Sequence, residues 1–578
     1  MLIESLSIEG FRNFANCEIT FDEKTLIVGG NDAGKTNLLY ALRILFDPSL
    51  SQRELELTEG DFNIQTKGAC IRITAKLSNI HEPCALSALR NYIKGDTTYI
   101  QYENNGTGNF RFLGGGSLDE LEEQQGRTYI KGIRLEYVGG SRDVGQFIRK
   151  QQNKLLDIAK VHREDDQIAK DETELKNIQT ALDALNARIN DLSYIKGALD
   201  SVNAEMNRLS ATQSGYKAAF IAGNTDSGKL LGNLNLTYLA DTDPMVFGGE
   251  GRSNQLYFST WLSEQKLTSE AERVTIYAIE EPEAHLHPQQ QRRLASYLSG
   301  SLQQQVLMTT HSPQIAERMD RGRVLRLYRN ESGFTMIKGC DTEIDNALAS
   351  FGYRMNSISA ETFFSNGVLL VEGPSERIFY LALSKALGYD LDQLNISVLS
   401  VDGVGFKPYV RVCTSLGIPF ALRTDNDEQQ IPGYPGKTRL AGLERAVDIA
   451  KEIGITDDLA KTLDQKLAKT RANHEGYTTE QRAVSSCEIQ YTLKDMNIFL
   501  AAEDLERDLV HSPIGQALKD YLCEQEDGKA IEKMQRRKAE NMYSFISSNP
   551  NLSCLRNDAV ATPLLSLLRQ KGAGVEIA

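Results

Sequence analysis

Gly29-Gly30-Asn31-Asp32-Ala33-Gly34-Lys35-Thr36 is a complete GxxxxGK[ST] phosphate-binding loop. It follows the apolar run Thr25-Leu26-Ile27-Val28 and precedes a Leu- and Ala-rich stretch, Asn37 to Phe46, that reads as a helix. The motif needs that strand–loop–helix order. Backbone N–H groups of the loop (Gly29, Asn31, Gly34) and the helix N-terminus surround the phosphates of ATP, Lys35 pairs with the outer phosphates, and Thr36 ligates Mg²⁺. The plain alternative is a Gly-rich turn opening a helix; the flanking elements favour the nucleotide.

The rest of such a site is legible far downstream. Val274-Thr275-Ile276-Tyr277-Ala278-Ile279 reads as a buried strand ending in Glu280-Glu281-Pro282-Glu283. In a phosphoryl-transfer site the first acid, Glu280, reaches Mg²⁺ and the second, Glu281, polarises the attacking water. A further strand, Val306 to Met308, leads into Thr309-Thr310-His311-Ser312-Pro313 and puts His311 where a γ-phosphate can be sensed. Upstream, alternating apolar residues from Leu2 to Ile8 and then Phe11-Arg12-Asn13-Phe14 suggest a β-layer wrapped on the nucleotide site.

Between these parts, Leu175, Ile178, Leu182, Leu185, Ile189 and Leu192 keep a 3-4-3-4-3 spacing, and the stripe resumes at Ile195, Leu199, Val202, Met206 and Leu209. That predicts helices joined at a seam, with a stammer or a break close to Gly197. An intramolecular hairpin and a dimer arm both fit so short a run.

After Phe351 a second α/β pattern begins. Gly367 to Val371 is a buried strand ending in Glu372-Gly373-Pro374-Ser375-Glu376; Asn395 to Ser400 ends at Asp402; Phe420 to Thr424 ends in Asp425-Asn426-Asp427. Strands alternating with helices imply a mostly parallel sheet whose ligands gather at the strand carboxyl ends. In an extended segment Asp425 and Asp427 point to one side. Carboxylates gathered there repel one another unless a hard divalent metal, Mg²⁺ or Mn²⁺, joins them. Gln429 to Cys487 interrupts the sheet as a polar, mostly helical insertion with no sign of chemistry of its own.

Composition bounds the rest. The 578 residues exceed one core, and 41% hydrophobic with 25% charged residues is ordinary for a soluble globular chain. Eight cysteines without a CxxC pair, no secretory leader and no apolar run of membrane-spanning length read as a cytoplasmic protein without structural zinc or disulfides. The net charge of −14 neither supports nor excludes a DNA partner.

Glu280 to Pro288 together with Thr310-His311-Ser312-Pro313 resembles the ABC-type ATPases of the SMC, RecF and OLD (overcoming lysogenization defect) group. Phe11-Arg12-Asn13-Phe14 is similar to their N-terminal strand motif. Phe247-Gly248-Gly249-Glu250-Gly251-Arg252 stands where they carry a signature loop, without its leading Ser. The resemblance implies that Gly249 of one subunit closes over ATP held by another. Glu280 replaces the usual Asp. Val371 to Glu376 and Asp425-Asn426-Asp427 resemble the two signatures of a Toprim domain. ATPase first and Toprim last is the order of OLD-family nucleases. Among these, the nuclease subunits of Gabija anti-phage systems are similar in length, at Tyr194 to Gly197, at Asp504 to Leu509 and around Lys538.

The resemblance implies an ABC-type ATPase domain (1–145 and 236–348) with a helical, coiled-coil-like dimerisation insertion (146–235), followed by a C-terminal Toprim α/β domain (349–578, insertion near 429–487). It implies a DNA endonuclease with metals at Glu372, Glu376, Asp425, Asp427 and Glu506, Asp504 being the alternative to Glu506. Lys538 would neutralise the phosphate in flight. Expected partners are double-stranded DNA, further copies of the chain, and a helicase-like or reverse-transcriptase protein encoded nearby; no membrane is expected. The rival is a RecF- or SMC-type repair ATPase with a non-catalytic Toprim domain. A primase or topoisomerase fits less well, since no zinc-ribbon pairing and no marked tyrosine are present. Sequence leaves open whether ATP drives cleavage or restrains it.

Overall fold

The computed structural model describes residues 1–64, 70–106, 109–140, 144–200, 238–240, 243–245, 250–267, 273–318, 322–330, 333–339, 359–403, 405–431, 438–470 and 479–570. Contacts divide the chain into two units, one of residues 1–139, 273–283 and 288–578, the other of residues 140–272 and 284–287.

In the first unit the N-terminal alternation of apolar residues folds as expected. Leu2–Phe11 pairs antiparallel with both Phe14–Thr20 and Ile71–Ser78, inside a six-stranded antiparallel sheet. A second six-stranded sheet has the order Thr335–Lys338, Arg323–Arg329, Lys24–Gly29, Val306–Thr309, Val274–Glu280, Ile133–Val138, parallel except at its first pair. Helix Lys35–Phe46 touches both sheets and buries Leu38, Leu39, Leu42 and Leu45 in the core they share. The central strands are buried along nearly their whole length rather than at alternate positions; Val274–Glu280 is buried at every position.

The C-terminal sheet is parallel, in the order Ile396–Ser400, Gly367–Val371, Phe420–Thr424, Ile498–Leu500. All four strands end on one edge, where Glu372, Asp402, Asp425 and the segment leading to Asp504 emerge. The interruption of the pattern is a hairpin (Glu428–Gln430 with Thr438–Leu440) and the helices Ala441–Glu452, Asp457–Lys469 and Thr479–Asp495.

Arg326 fastens this sheet to the preceding one. Its guanidinium is buried, and it donates to the carbonyls of Ser365 (3.0 Å), Leu416 (3.4 Å) and Gly417 (3.4 Å).

The second unit contains helices Val144–Val161, Asp165–Asp191 and Glu250–Leu267. Tyr257, Phe258 and Trp261 are buried, with the Phe258 ring edge-on to each of the other two. The apolar stripe is carried by Asp165–Asp191 and the helical residues after it, but the break falls at Leu192, the helix C-cap, rather than close to Gly197. Leu185 and Leu192 are exposed within one chain. Val202, Met206 and Leu209 lie outside the described residues.

Candidate functional site

At the nucleotide loop, Gly34 caps the helix with φ 105°, a conformation costly for any residue with a Cβ. A Cβ there would stand 2.0 Å from Asn13 Nδ2. Asn13 belongs to the turn Phe11-Arg12-Asn13-Phe14 and donates to the carbonyl of Ala33 (3.2 Å); Arg12 donates to Asn37 (2.8 Å) and Asp61 (2.8 Å). The N-terminal motif therefore braces the loop from behind. Lys35 Nζ donates to the carbonyls of Gly29 (3.0 Å) and Gly30 (2.9 Å). Burial lowers its pKa, against the pull of Glu281, Glu280, Glu283 and Asp32.

The strand-end acids meet this loop. Glu280 accepts from Thr36 Oγ1 on one oxygen and from Tyr137 OH on the other. Thr36 and the first acid are thus adjacent, as shared Mg²⁺ ligation requires. His311 Nε2 lies 3.3 Å from Glu281 Oε1, and burial and then Lys35 lower its pKa. Glu283 is structural in its contacts, accepting from Thr310 Oγ1 (2.6 Å) and the His311 amide (2.7 Å). Asn31, within the loop, is exposed. Gly249 lies outside the described residues.

The second cluster lines a cleft of about 360 Å³ at the carboxyl edge of the parallel sheet. Glu372, Glu376, Asp402, Asp425, Glu506 and Lys538 border it. Glu376 spends one oxygen as a helix cap, accepting from the Gly373 amide (2.7 Å). Asp504 likewise caps its helix through the Arg507 amide (2.9 Å) and accepts from Gln535 (2.7 Å). Burial pushes Glu376 up to about 8 and Asp425 up to about 7, Arg423 opposing in both cases. Asp504 is lowered, because the Arg507 amide, Gln535 and Lys538 outweigh its burial.

Three cations thread the acids. Lys538 Nζ stands 3.0 Å from Glu506, 3.3 Å from Asp504 and 3.7 Å from Asp425. Arg423, 2% exposed, stands 2.5 Å from Asp508, 3.5 Å from Glu376 and 3.9 Å from Asp425. Arg445, on the insertion helix Ala441–Glu452, donates to Glu372 and to Thr424. The insertion, which showed no sign of chemistry in the sequence, thus contributes a cation to the acid cluster. A second correction concerns Asp427. The strand ends at Thr424, so the pleat no longer sets side-chain direction; Asp425 is buried while Asp427 is exposed and does not line the cleft.

The residues suit a hard divalent ion in chemistry. Glu376 Oε1, Asp425 Oδ1 and Glu506 Oε2 are buried without a hydrogen-bond partner and have only ion-pair contacts, the first two with Arg423 and the third with Lys538. As they stand, no three His, Cys, Asp or Glu side chains among the described residues are grouped to hold a metal, and Arg423 and Lys538 pair with the cleft acids instead.

A family model described as AAA ATPase domain matches residues 1–215 and 145–316, together more than half of the chain. The chain belongs to the AAA ATPase domain family. A model described as the Toprim domain of overcoming lysogenization defect-like proteins matches residues 363–427. An AAA ATPase domain is thus followed by a segment that matches the OLD-like Toprim domain. The chain is 27% identical over 583 residues to endonuclease GajA of Bacillus cereus (strain VD045), covering 96% of each. It is 26% identical over 451 residues to the OLD nuclease of Thermus scotoductus (strain ATCC 700910 / SA-01), covering 74% of this chain and 82% of that protein. A solved Smc head bound to the C-terminal winged-helix domain of ScpA is 18% identical, with a TM-score of 0.37, over 58% of this chain and 97% of that one. No described helix is long and apolar enough to cross a membrane.

Sequence reasoning missed Tyr137, Arg326, Arg423 and Arg445. Arg423 had a signal, a cation inside an otherwise apolar strand next to an acid, because a buried charge must be paired. Arg445 had none, being one of several basic residues in a polar, helical stretch.

Proposed function

We propose that this protein is a divalent-metal-dependent DNA endonuclease whose Toprim cleft cuts the phosphodiester and whose ATPase head regulates cutting. One observation carries the reading: Glu376 and Asp425, each with a buried carboxylate oxygen that Arg423 approaches but no hydrogen bond satisfies, line a cleft together with Glu506 and Lys538. The names of the relatives, endonuclease GajA and OLD nuclease, support it. Mg²⁺ or Mn²⁺ held by Glu372, Glu376, Asp425 and Glu506 would supply an activated water and stabilise the leaving 3′ oxygen. Lys538, whose ammonium already sits among acids, would turn to the phosphate oxygens and offset the charge that builds there. A cleft carboxylate such as Glu372 would accept the proton of the attacking water.

In the head, ATP would lie on Gly29 to Thr36, with Glu280 beside Thr36 and Glu281 and His311 at the γ-phosphate. Double-stranded DNA as substrate, a homodimer or larger oligomer, a helicase-like partner and a role in anti-phage defence follow from the resemblance to Gabija nuclease subunits. Supercoiled plasmid incubated with Mg²⁺ or Mn²⁺, with and without ATP, tests the reading. Wild type should convert it to open-circular or linear DNA, and Asp425→Ala should not. If ATP suppresses cutting by wild type but not by Lys35→Ala, nucleotide occupancy restrains the cleft. Absence of cutting under every metal and nucleotide condition would refute a self-sufficient nuclease.

A further inference from the structure

We propose that Arg445 is a positioning residue for Glu372, and that the insertion carrying it belongs to the framework of the acid cleft. Only its activity readout rests on the nuclease reading. Glu372 Oε1 accepts from Thr424 Oγ1, from the Asp425 amide (2.9 Å) and from Arg445 Nη1. Three donors saturate that oxygen, so Oε2 is the one left for whatever enters the cleft that Glu372 lines. Arg445 Nη1 also donates to Thr424 Oγ1, which ties the three side chains into one node.

The helix bearing Arg445 is seated directly on the second acidic segment. The Ala441 amide donates to the Asp427 carbonyl (2.9 Å), and the Leu443 amide to Asn426 Oδ1 (3.1 Å). Between them Gly442 lies against the backbone; a Cβ there would come 2.0 Å from the Asp425 carbonyl oxygen. No other residue type allows that approach. The middle residue of Asp425-Asn426-Asp427 thus caps the helix, and the helix returns a cation to the acid of the neighbouring strand. A side chain delivered from a fixed helix holds a carboxylate in one rotamer better than a loop residue does.

The test measures Mn²⁺ binding to the full chain by electron paramagnetic resonance, alongside plasmid nicking, for wild type, Arg445→Ala, Arg445→Lys, Glu372→Gln and the Glu372→Gln/Arg445→Ala double variant. Residues that orient metal ligands typically contribute about 10- to 100-fold to metal affinity or activity. Arg445→Ala should weaken Mn²⁺ binding and lower kcat by about that factor, leave KM for DNA unchanged, and be partly rescued in Arg445→Lys. The double variant should be no worse than Glu372→Gln alone, because both remove the same arrangement. Arg411→Ala, which removes a 2.8 Å pair to Glu452 at the other end of the helix, should leave Mn²⁺ affinity unchanged. If Arg445→Ala does not fold, Arg445→Gln and Arg445→Lys carry the same comparison. Additive losses, a raised KM with intact Mn²⁺ binding, or no change would each overturn the proposal. If wild type cuts no DNA while the Mn²⁺ losses remain non-additive, the nuclease reading fails and the positioning role stands.

Discussion

Lys538→Met removes the cation around which the acids of the cleft are arranged and keeps most of the side chain's length. Its ammonium stands 3.0, 3.3 and 3.7 Å from Glu506, Asp504 and Asp425. At an effective dielectric of about 20, each contact is worth about 5 kcal/mol of bare attraction. The Lys538 side chain is 41% exposed, so solvent screening and the cost of desolvating it reduce the net to a few kcal/mol in all. The metal-free variant should therefore unfold at lower temperature than wild type, by a few kcal/mol of stability. The consequence for metal is opposite in sign. Acids relieved of a resident cation attract a divalent one more strongly, so Mn²⁺ affinity should rise and added Mn²⁺ should restore much of the lost stability. Catalysis should still fall, by about 10²–10³-fold in kcat, the usual cost of removing one preorganised group from a charge-stabilising site. Calorimetric Mn²⁺ titration, thermal unfolding with and without Mn²⁺, and plasmid nicking read the three quantities. Weaker Mn²⁺ binding in Lys538→Met would refute the assignment, because Lys538 would then be organising the acids rather than serving the phosphate.

Gly34→Ala forces a Cβ into a left-handed position against Asn13, which should cost about 1–3 kcal/mol in thermal unfolding and abolish binding of a fluorescent ATP analogue. Lys35→Ala should lose the analogue and cost about 1–2 kcal/mol in stability, since it removes two hydrogen bonds to the loop and a buried side chain. Glu376 and Asp425 have folded pKa values raised to about 8 and about 7, so from about pH 4 upward the unfolded chain sheds protons the folded one still holds. The metal-free protein should thus lose stability as pH rises from about 4 to 8, and stabilisation by Mg²⁺ should grow over pH 6 to 8; a flat melting temperature across that window would contradict the burial of these acids. Arg326→Met leaves the carbonyls of Ser365, Leu416 and Gly417 without their donor and should cost about 2–3 kcal/mol. Under the proposed regulation it should also reduce the response of cutting to ATP; an unchanged response would refute a path through Arg326.

The two α/β patterns and the loop at Gly29 to Thr36 were legible because each rests on local rules: apolar runs long enough to be buried strands, glycines at a tight turn, acids at strand ends. Glu372, Glu376, Asp425, Glu506 and Lys538 meet in one cleft although they come from four segments of the chain. What failed was reasoning that extended a local rule past its element. Asp427 was expected beside Asp425 by the two-residue repeat of a strand, but the strand stops at Thr424 and Asn426 turns to cap a helix. The insertion looked inert because Arg445 acts across 73 residues, and no periodicity within its own helix marks a side chain whose partner lies on another element.

Strand Arg323–Arg329 gives the regulatory reading a physical path. Leu327 pairs with Gly29 at the start of the phosphate loop, and Arg329 Nε donates to the Asp32 carbonyl within that loop (3.0 Å). On the same strand Arg326 grips Ser365, two residues before the strand that leads to Glu372, and Leu416 and Gly417, just before the strand that leads to Asp425. The segment Gly29 to Thr36 and the two strands that lead to Glu372 and Asp425 are thus both tied to one strand. Coupling between sites requires such an element to have two arrangements that both ligands bias. A buried guanidinium holding three carbonyls is suited to that, because a small shift of the strand must break or remake charge-assisted bonds rather than stretch them gradually.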